Sequence, residues 1–341
     1  MARENKIGLT KNDYRGAPST LCAGCGHNSI SNQIMAAAFE LDLVPEDLVK
    51  FSGIGCSSKS PTYFLGRSFG FNSLHGRMPT IATGGLFGDH RLKAIAVSGD
   101  GDTSNIGMGH FKHVIRRNLP MVYIVANNGV YGLTKGQFSA TAERGLQLKS
   151  QGVNMYMPID IVLEAMTSGA TFVARSFAGD AAQVKELIKA GLSHDGIAVI
   201  DIISPCVTFN NRDESHHSYQ WGKEHREVLH DFSYIPITEE ITLDEFPEGT
   251  TQQVTMHDGA KVVLKKVDRD YDPTDRIGAI KTVQEANKND ILLTGLIFVD
   301  TSPMSLIDMY DLPEDRPLNR MQQDELRPPK KALDKINSLM F

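Results

Sequence analysis

Two short polar motifs stand where a metal ion and a diphosphate could be held together. Gly99-Asp100-Gly101 closes one apolar run, Asn127-Asn128 closes the next, and 25 residues, 102–126, separate them. Asp100 offers a hard carboxylate, Asn128 an amide oxygen, and a nearby backbone carbonyl a third oxygen; Mg²⁺ takes such ligands beside phosphate oxygens. The glycines let the backbone approach a diphosphate closely, and the helix N-terminus after Gly101 favours its negative charge. Two unrelated polar turns are the bland alternative, and the strand context on both sides argues against it.

The second set is the four cysteines, Cys22, Cys25, Cys56 and Cys206, with no spare thiol. Cys22-Ala23-Gly24-Cys25 is a close pair; 30 residues separate Cys25 from Cys56, and 149 separate Cys56 from Cys206. Each has Gly or Pro beside it (Gly24, Gly26, Gly55, Pro205), as a thiolate cage wants tight turns that aim N–H groups at sulfur. A [4Fe–4S] cluster and a structural zinc both suit four cysteines, although zinc sites usually pair two local knuckles. Cys56 and Cys206 as buried small hydrophobes are the third possibility.

The elements that must carry these motifs read as an α/β domain. Ala94–Val97 and Met121–Ala126 are short apolar runs of the kind buried on both faces of a sheet, with a helix-like segment ending at Arg117 between them. Thr171–Phe177, Ala181–Leu192 and Ile197–Ile203 repeat the strand–helix–strand pattern, which predicts a parallel sheet with helices on both faces. Adjacent parallel strands would then deliver both polar motifs at their carboxyl ends, where open sheets bind ligands. Further upstream, Asn28 or Ser29 could cap a helix carrying Ile30, Ile34, Ala38 and Leu41. Residues 51–90 show no clear periodicity and are expected as functional loops.

Residues 1–231 are expected as this domain and 232–341 as a C-terminal extension. Within the extension, Val254–Met256 and Ala260–Val267 flank His257-Asp258-Gly259 as a hairpin. Beyond Pro313, a stretch rich in proline and charge reads as a surface tail or as an arm on a partner. His216, His217, His225 and His230 lie in a polar segment and are expected at the surface.

The 341 residues suffice for a full core. Hydrophobic residues make up 41% and charged residues 22%, as in ordinary globular enzymes. A net charge of −6 argues against a nucleic-acid binder. No apolar stretch is long enough for a membrane span, and the polar leader lacks a signal-peptide core, so a cytoplasmic protein is expected.

Taken together, Cys22-Ala-Gly-Cys25-Gly-His27, Gly53-Ile-Gly-Cys56, His75-Gly-Arg77, Gly99-Asp-Gly-Asp102, Asn127-Asn-Gly-Val-Tyr131-Gly-Leu-Thr134-Lys-Gly-Gln137 and Ser204-Pro-Cys206 resemble the β subunits of 2-oxoacid:ferredoxin oxidoreductases. The resemblance spans residues 21–206 and implies the thiamine diphosphate-binding fold. It makes Cys22, Cys25, Cys56 and Cys206 the ligands of one [4Fe–4S] cluster, and Asp100, Asn128 and the Val130 carbonyl the Mg²⁺ ligands. His27, the Cys56 loop, Gly101, Asp102, Tyr131 and Leu133 would line thiamine diphosphate, with His75 and Arg77 on a loop at the active-site mouth. Arg77 is equally well a structural salt bridge.

The reaction so implied is oxidative decarboxylation of a 2-oxoacid. Coenzyme A takes the acyl group, and electrons pass from the thiamine-bound enamine through the cluster to ferredoxin. The family supplies the pyrimidine half of the site from an α subunit, which predicts a heterotetramer. Similarity of the long C-terminal region to two-subunit enzymes favours 2-oxoglutarate over pyruvate or branched 2-oxoacids, and Lys59, Arg67 and Arg77 are the candidate cations for its second carboxylate. A thiamine-dependent decarboxylase with structural zinc and an electron-transfer subunit without thiamine are the competing readings. Gly53-x-Gly55-x-x-Ser58 lacks the third glycine of a dinucleotide motif.

Overall fold

The computed structural model describes residues 3–237, 251–265, 271–313 and 315–340. Its strands, in chain order, are β1 (Leu48–Ser52), β2 (Phe69–Asn72), β3 (Lys93–Gly99), β4 (Met121–Asn127), β5 (Phe172–Phe177), β6 (Ile197–Ile203), β7 (Arg226–Val228), β8 (Asp231–Ile235), β9 (Thr251–Thr255), β10 (Lys261–Lys265) and β11 (Leu292–Val299). Eight of them form one sheet in the order β7-β11-β5-β6-β4-β3-β1-β2. From β5 to β2 each neighbouring pair is parallel, and β11 runs antiparallel to β5. The expected α/β architecture is therefore present.

Helices α1 (Gly26–Glu40), α2 (Met78–Gly88), α3 (Met108–Arg116), α4 (Ile161–Thr167), α5 (Ala181–Leu192), α6 (Tyr219–His225) and α7 (Arg276–Lys288) surround the sheet. Side chains of successive strand residues point to opposite faces, and the two faces have separate cores. Ile95, Val97, Val122 and Ile124 pack with residues of α1 and α5. Ala94, Ala96, Tyr123 and Val125 pack with residues of α2, α3, α4 and α7. Covering both faces explains why the central strands are mostly apolar instead of alternating, with the buried Lys50, Arg175 and Asp201 as exceptions.

Three regions depart from the sequence reading. Residues 51–90 are not mainly loops: they contain β2, α2 and a 3₁₀ turn at Ser57–Thr62. Helix α2 escaped notice because apolar and small residues lie all round it, so the stripe it buries, Met78, Ala82 and Leu86, does not stand out. A Cβ on Gly85 would stand 2.7 Å from the Phe51 ring, so helix and strand pack closer than larger residues allow. The N-cap of helix α1 is Cys25, three residues before Asn28 and four before Ser29, the expected caps.

The third departure concerns the C-terminal region. The hairpin exists as β9 and β10, with Val254 opposite Val262, but β8 adds a third strand. Lys266 and Val267 lie outside the described residues. Helix α7 and strand β11 belong to the main layers, so residues beyond 231 are not only an appendage. The tail holds a helix at Lys330–Met340 with no buried residue. His217 and His230 are buried, and the rings of His216 and His225 stack on Trp221 at 4.4 and 4.5 Å; the expectation of four surface histidines fails. Among the described residues no helix is long and apolar enough to cross a membrane.

Candidate functional site

Strands β3 and β4 are parallel neighbours with Gly99 opposite Ala126, so Gly99-Asp100-Gly101 and Asn127-Asn128 leave the sheet side by side. A π-helical turn, Asp102–Ile106, follows the first motif before α3 begins; such turns are frequent at functional sites. Tyr131 locks the first turn from above by donating its hydroxyl to the Gly101 carbonyl at 2.9 Å. A Cβ on Gly101 would sit 2.6 Å from the same ring, which is why no side chain fits there.

The Asp100 carboxylate is buried and its two oxygens differ. Oδ2 accepts the Gly129 N–H at 3.0 Å, the Thr141 hydroxyl at 2.7 Å and the Ser139 hydroxyl. Oδ1 has one long contact, 3.3 Å from the Asn128 N–H. The protein thus holds the carboxylate by one oxygen and leaves the other for a cation. The amide oxygen of Asn128 accepts the Val130 N–H at 3.0 Å, with a second lone pair to spare. One carboxylate oxygen and one amide oxygen within a glycine-lined turn are a donor set that fits Mg²⁺ and a diphosphate.

His27 joins this site to the cysteines. It occupies the first turn of α1, two residues after Cys25. Its Nδ1 lies 2.6 Å from the Ser204 hydroxyl, and its Nε2 lies 3.4 Å from Nδ2 of Asn128. Burial pulls its pKa down to about 4, so the ring is neutral at pH 7. Nε2 then accepts from the Asn128 amide, which turns the amide oxygen toward the cation position.

The thiols gather on the other side of His27. The Cys25 sulfur accepts the His27 backbone N–H, and the thiols of Cys206, Cys22 and Cys56 are near enough to oppose its ionisation. Burial pushes the Cys25 thiol up to about 11. A Cβ on Gly132 would stand 3.5 Å from the Cys56 sulfur and 3.7 Å from that of Cys206, so a glycine leaves space between them. The sulfur of Cys22 accepts the Thr208 hydroxyl at 3.4 Å. Among the described residues no group of three or more His, Cys, Asp or Glu is placed to hold a metal ion. The sulfurs of Cys56 and Cys206 flank the bare backbone at Gly132. The Cys56 segment is itself anchored from below: buried Lys50 donates to the carbonyls of Pro61, Phe64 and Leu65 at 2.8, 2.9 and 2.7 Å.

One cleft is lined by His27, Cys56, His75, Asp100, Gly101, Asp102, Asn128, Val130, Tyr131 and Leu133. Arg77 is not among its lining residues; it sits exposed at the N-cap of α2, with its guanidinium 3.3 Å from His110. Asp102 receives His75 Nδ1 at 2.7 Å, the Gly76 N–H at 2.9 Å and the Ser98 hydroxyl at 2.9 Å. Of the candidate cations, Arg67 pairs with Glu46, and Lys59 is exposed three residues after Cys56 and, like Arg77, is not among the residues that line the cleft. Sequence reading missed Ser139 and Thr141, isolated hydroxyls in a loop whose spacing carried no signal, and gave Ser204, quoted beside Cys206, no role of its own.

Residues 53–202 match the family model of the thiamine pyrophosphate enzyme C-terminal TPP binding domain. The chain is 42% identical over 217 residues to the 2-oxoacid:ferredoxin oxidoreductase subunit beta of Saccharolobus solfataricus, covering 63% of this chain and 70% of that one. It is 41% identical over 191 residues to the 2-oxoglutarate oxidoreductase subunit KorB of Mycobacterium tuberculosis, covering 56% and 51% respectively. A solved structure of 2-oxoglutarate:ferredoxin oxidoreductase from Magnetococcus marinus, with 2-oxoglutarate, coenzyme A and succinyl-CoA bound, aligns with a TM-score of 0.74 at 28% identity, over 98% of this chain and 99% of that one. The diphosphate turn falls inside the matched thiamine domain, and the relatives are subunits of one kind of enzyme complex: the chain belongs to the β subunits of the 2-oxoacid:ferredoxin oxidoreductases.

Proposed function

We propose that this β subunit carries the diphosphate end of thiamine diphosphate, its Mg²⁺ and one [4Fe–4S] cluster, in a complex that decarboxylates 2-oxoglutarate oxidatively to succinyl-CoA. The observation that carries the proposal is that Cys56 lines the same cleft as Asp100 and Asn128. When bound, thiamine diphosphate supplies the nucleophilic carbon and electron sink for decarboxylation, and the cluster supplies one-electron transfer.

The chain's own residues have distinct tasks. Oδ1 of Asp100, the amide oxygen of Asn128 and the Val130 carbonyl would hold the cation. Cys22, Cys25, Cys56 and Cys206 would hold the cluster. Gly101, Tyr131 and Leu133 shape the wall against the cofactor. Asp102 accepts from His75 Nδ1, so in the neutral ring Nε2 keeps its lone pair at the cleft mouth as a proton acceptor. Lys59, which has no side-chain partner among the described residues, is the cation available to a distal substrate carboxylate. Arg67 is committed to Glu46, and the Arg77 guanidinium lies against His110.

An α subunit would complete the site with the pyrimidine half, giving a cytoplasmic (αβ)₂ assembly that passes electrons to ferredoxin. Exposed Phe69, Phe71 and Leu74 near the His75 loop support an interface there. The Lys330–Met340 helix offers a second, with exposed Leu333, Ile336, Leu339 and Met340. The test is turnover of the purified complex with 2-oxoglutarate, pyruvate and branched 2-oxoacids, with coenzyme A and ferredoxin. Preference for pyruvate would overturn the substrate assignment, and activity without iron would overturn the electron path.

A further inference from the structure

His217 is remote in sequence from both motifs and does not line the cleft, yet it is buried directly behind the Asn127-Asn128-Gly129 turn. Its relative exposure is 4%. Nε2 lies 3.1 Å from Oδ1 of Asn127, and Nδ1 lies 3.2 Å from Oε2 of Glu143. A Cβ on Gly129, whose φ is +72°, would come within 2.8 Å of the same ring. Beside it, Asn210 donates to the Asn128 carbonyl at 2.9 Å. The turn is therefore clamped from behind by two side chains of the 206–218 segment.

The proton count gives this contact a consequence. Asp201 accepts only, and it takes Nδ2 of Asn127 at 3.0 Å, which fixes that amide with Oδ1 toward Thr141 and His217. Oδ1 can only accept, so it needs a donor. Thr141 stands 2.8 Å from it but also 2.7 Å from Oδ2 of Asp100, and a threonine hydroxyl has one proton. With Nε2–H of His217 donating to Asn127, the Thr141 proton is free for Asp100. Without it, either Thr141 turns away from Asp100 or a buried amide oxygen goes unmet. Glu143 keeps the imidazole in place: burial opposes its charge, but the facing carboxylate raises its pKa.

We propose that His217, held by Glu143, is a positioning residue for cofactor binding: through Asn127 and Thr141 it sets the Asp100 carboxylate with one oxygen tied back and the other turned to the cation. The inference rests on the reading of Asp100 and Asn128 as the cation–diphosphate site.

The experiment uses the complete complex, stripped of thiamine diphosphate and Mg²⁺. Titration with both, followed by quenching of intrinsic fluorescence, gives the Kd for wild type, His217→Leu, His217→Gln, Glu143→Gln and Asp100→Asn. His217→Leu should weaken binding about tenfold or more, the scale of one buried charge-assisted hydrogen bond. His217→Gln, which keeps an amide donor near the Nε2 position, should recover most of that loss. The cluster absorbance and the kcat at saturating cofactor should stay near wild type in His217→Leu. Were that variant to fail to assemble, Glu143→Gln gives the second reading, with an expected loss of several-fold. Wild-type affinity in His217→Leu or in Glu143→Gln, while Asp100→Asn loses binding, overturns the positioning role alone. Wild-type affinity in Asp100→Asn overturns the site reading beneath it.

Discussion

Asn128 and His27 lie with Nδ2 and Nε2 3.4 Å apart, and that contact joins the diphosphate turn to the helix that Cys25 caps. Under the proposed function, the cofactor turn and the cluster thiols meet across a single imidazole. Because burial keeps that imidazole neutral, it orients the amide without placing a positive charge beside the cation position.

Cys206→Ser should strip or damage the cluster in spite of its distance in sequence from the other three thiols. Its sulfur lies beside that of Cys56 across Gly132. Iron analysis and the broad brown absorbance report the loss directly. Full iron content with an unchanged spectrum would remove Cys206 from the ligand set.

Lys59→Ala should raise KM for 2-oxoglutarate about tenfold while changing KM for pyruvate little, since only the former has a second carboxylate for the ammonium to meet. Arg67→Ala should leave both unchanged, because that guanidinium is occupied by Glu46. Equal effects of Lys59→Ala on the two substrates would take Lys59 out of the specificity argument.

The buried Glu143–His217 pair predicts a pH dependence of stability. Burial alone would raise the Glu143 pKa, but the hydrogen bond and charge of His217 bring it down to about 2 from an ordinary 4.5. A carboxyl depressed in the fold stabilises above its unfolded pKa, and that contribution fades as pH falls from 4.5 toward about 2. His217, raised above its ordinary 6.5, stabilises fully below that value, and its contribution is lost as pH climbs through the folded pKa. Melting temperatures of wild type and Glu143→Gln should therefore converge on going below pH 4.5 and differ most near pH 5–6. Parallel curves throughout would show that the pair does not titrate as described.

Much of this was legible in the residues and some was not. The βαβ units announced themselves because their strands, buried on both faces, are mostly apolar runs rich in Val, Ile and Ala. Glycines and cysteines at motif spacing marked the cleft, because the chemistry constrains backbone and sulfur locally. Helix α2 stayed hidden since it is apolar or small on every face, and Gly85, where it packs closely on Phe51, reads as a loop residue. Strand β11 could not be placed beforehand because nothing in Leu292–Val299 reveals that it will pair antiparallel with β5. His217 read as a surface residue because its partners, Glu143 and Asn127, are 74 and 90 positions away.

The chain alone, loaded with iron, sulfide, Mg²⁺ and thiamine diphosphate, should not turn over 2-oxoacids, because the α/β layer here supplies the diphosphate half of the site. Adding the α subunit should restore 2-oxoacid-dependent reduction of a viologen dye. Turnover comparable to the intact complex, from a preparation free of any second polypeptide, would show that the pyrimidine half resides in this chain.

The central claim is that the cofactor turn and the thiols of one chain form a single electron-transfer site. The most direct measurement adds 2-oxoglutarate, without ferredoxin, to the anaerobic complex and follows the cluster by electron paramagnetic resonance. Wild type should show a reduced-cluster signal within one turnover. Asp100→Ala should hold its full cluster yet show no such signal, and dithionite should still reduce it. A substrate-induced signal of wild-type size in Asp100→Ala would contradict the account, because the electrons would then be reaching the cluster from somewhere other than this cleft.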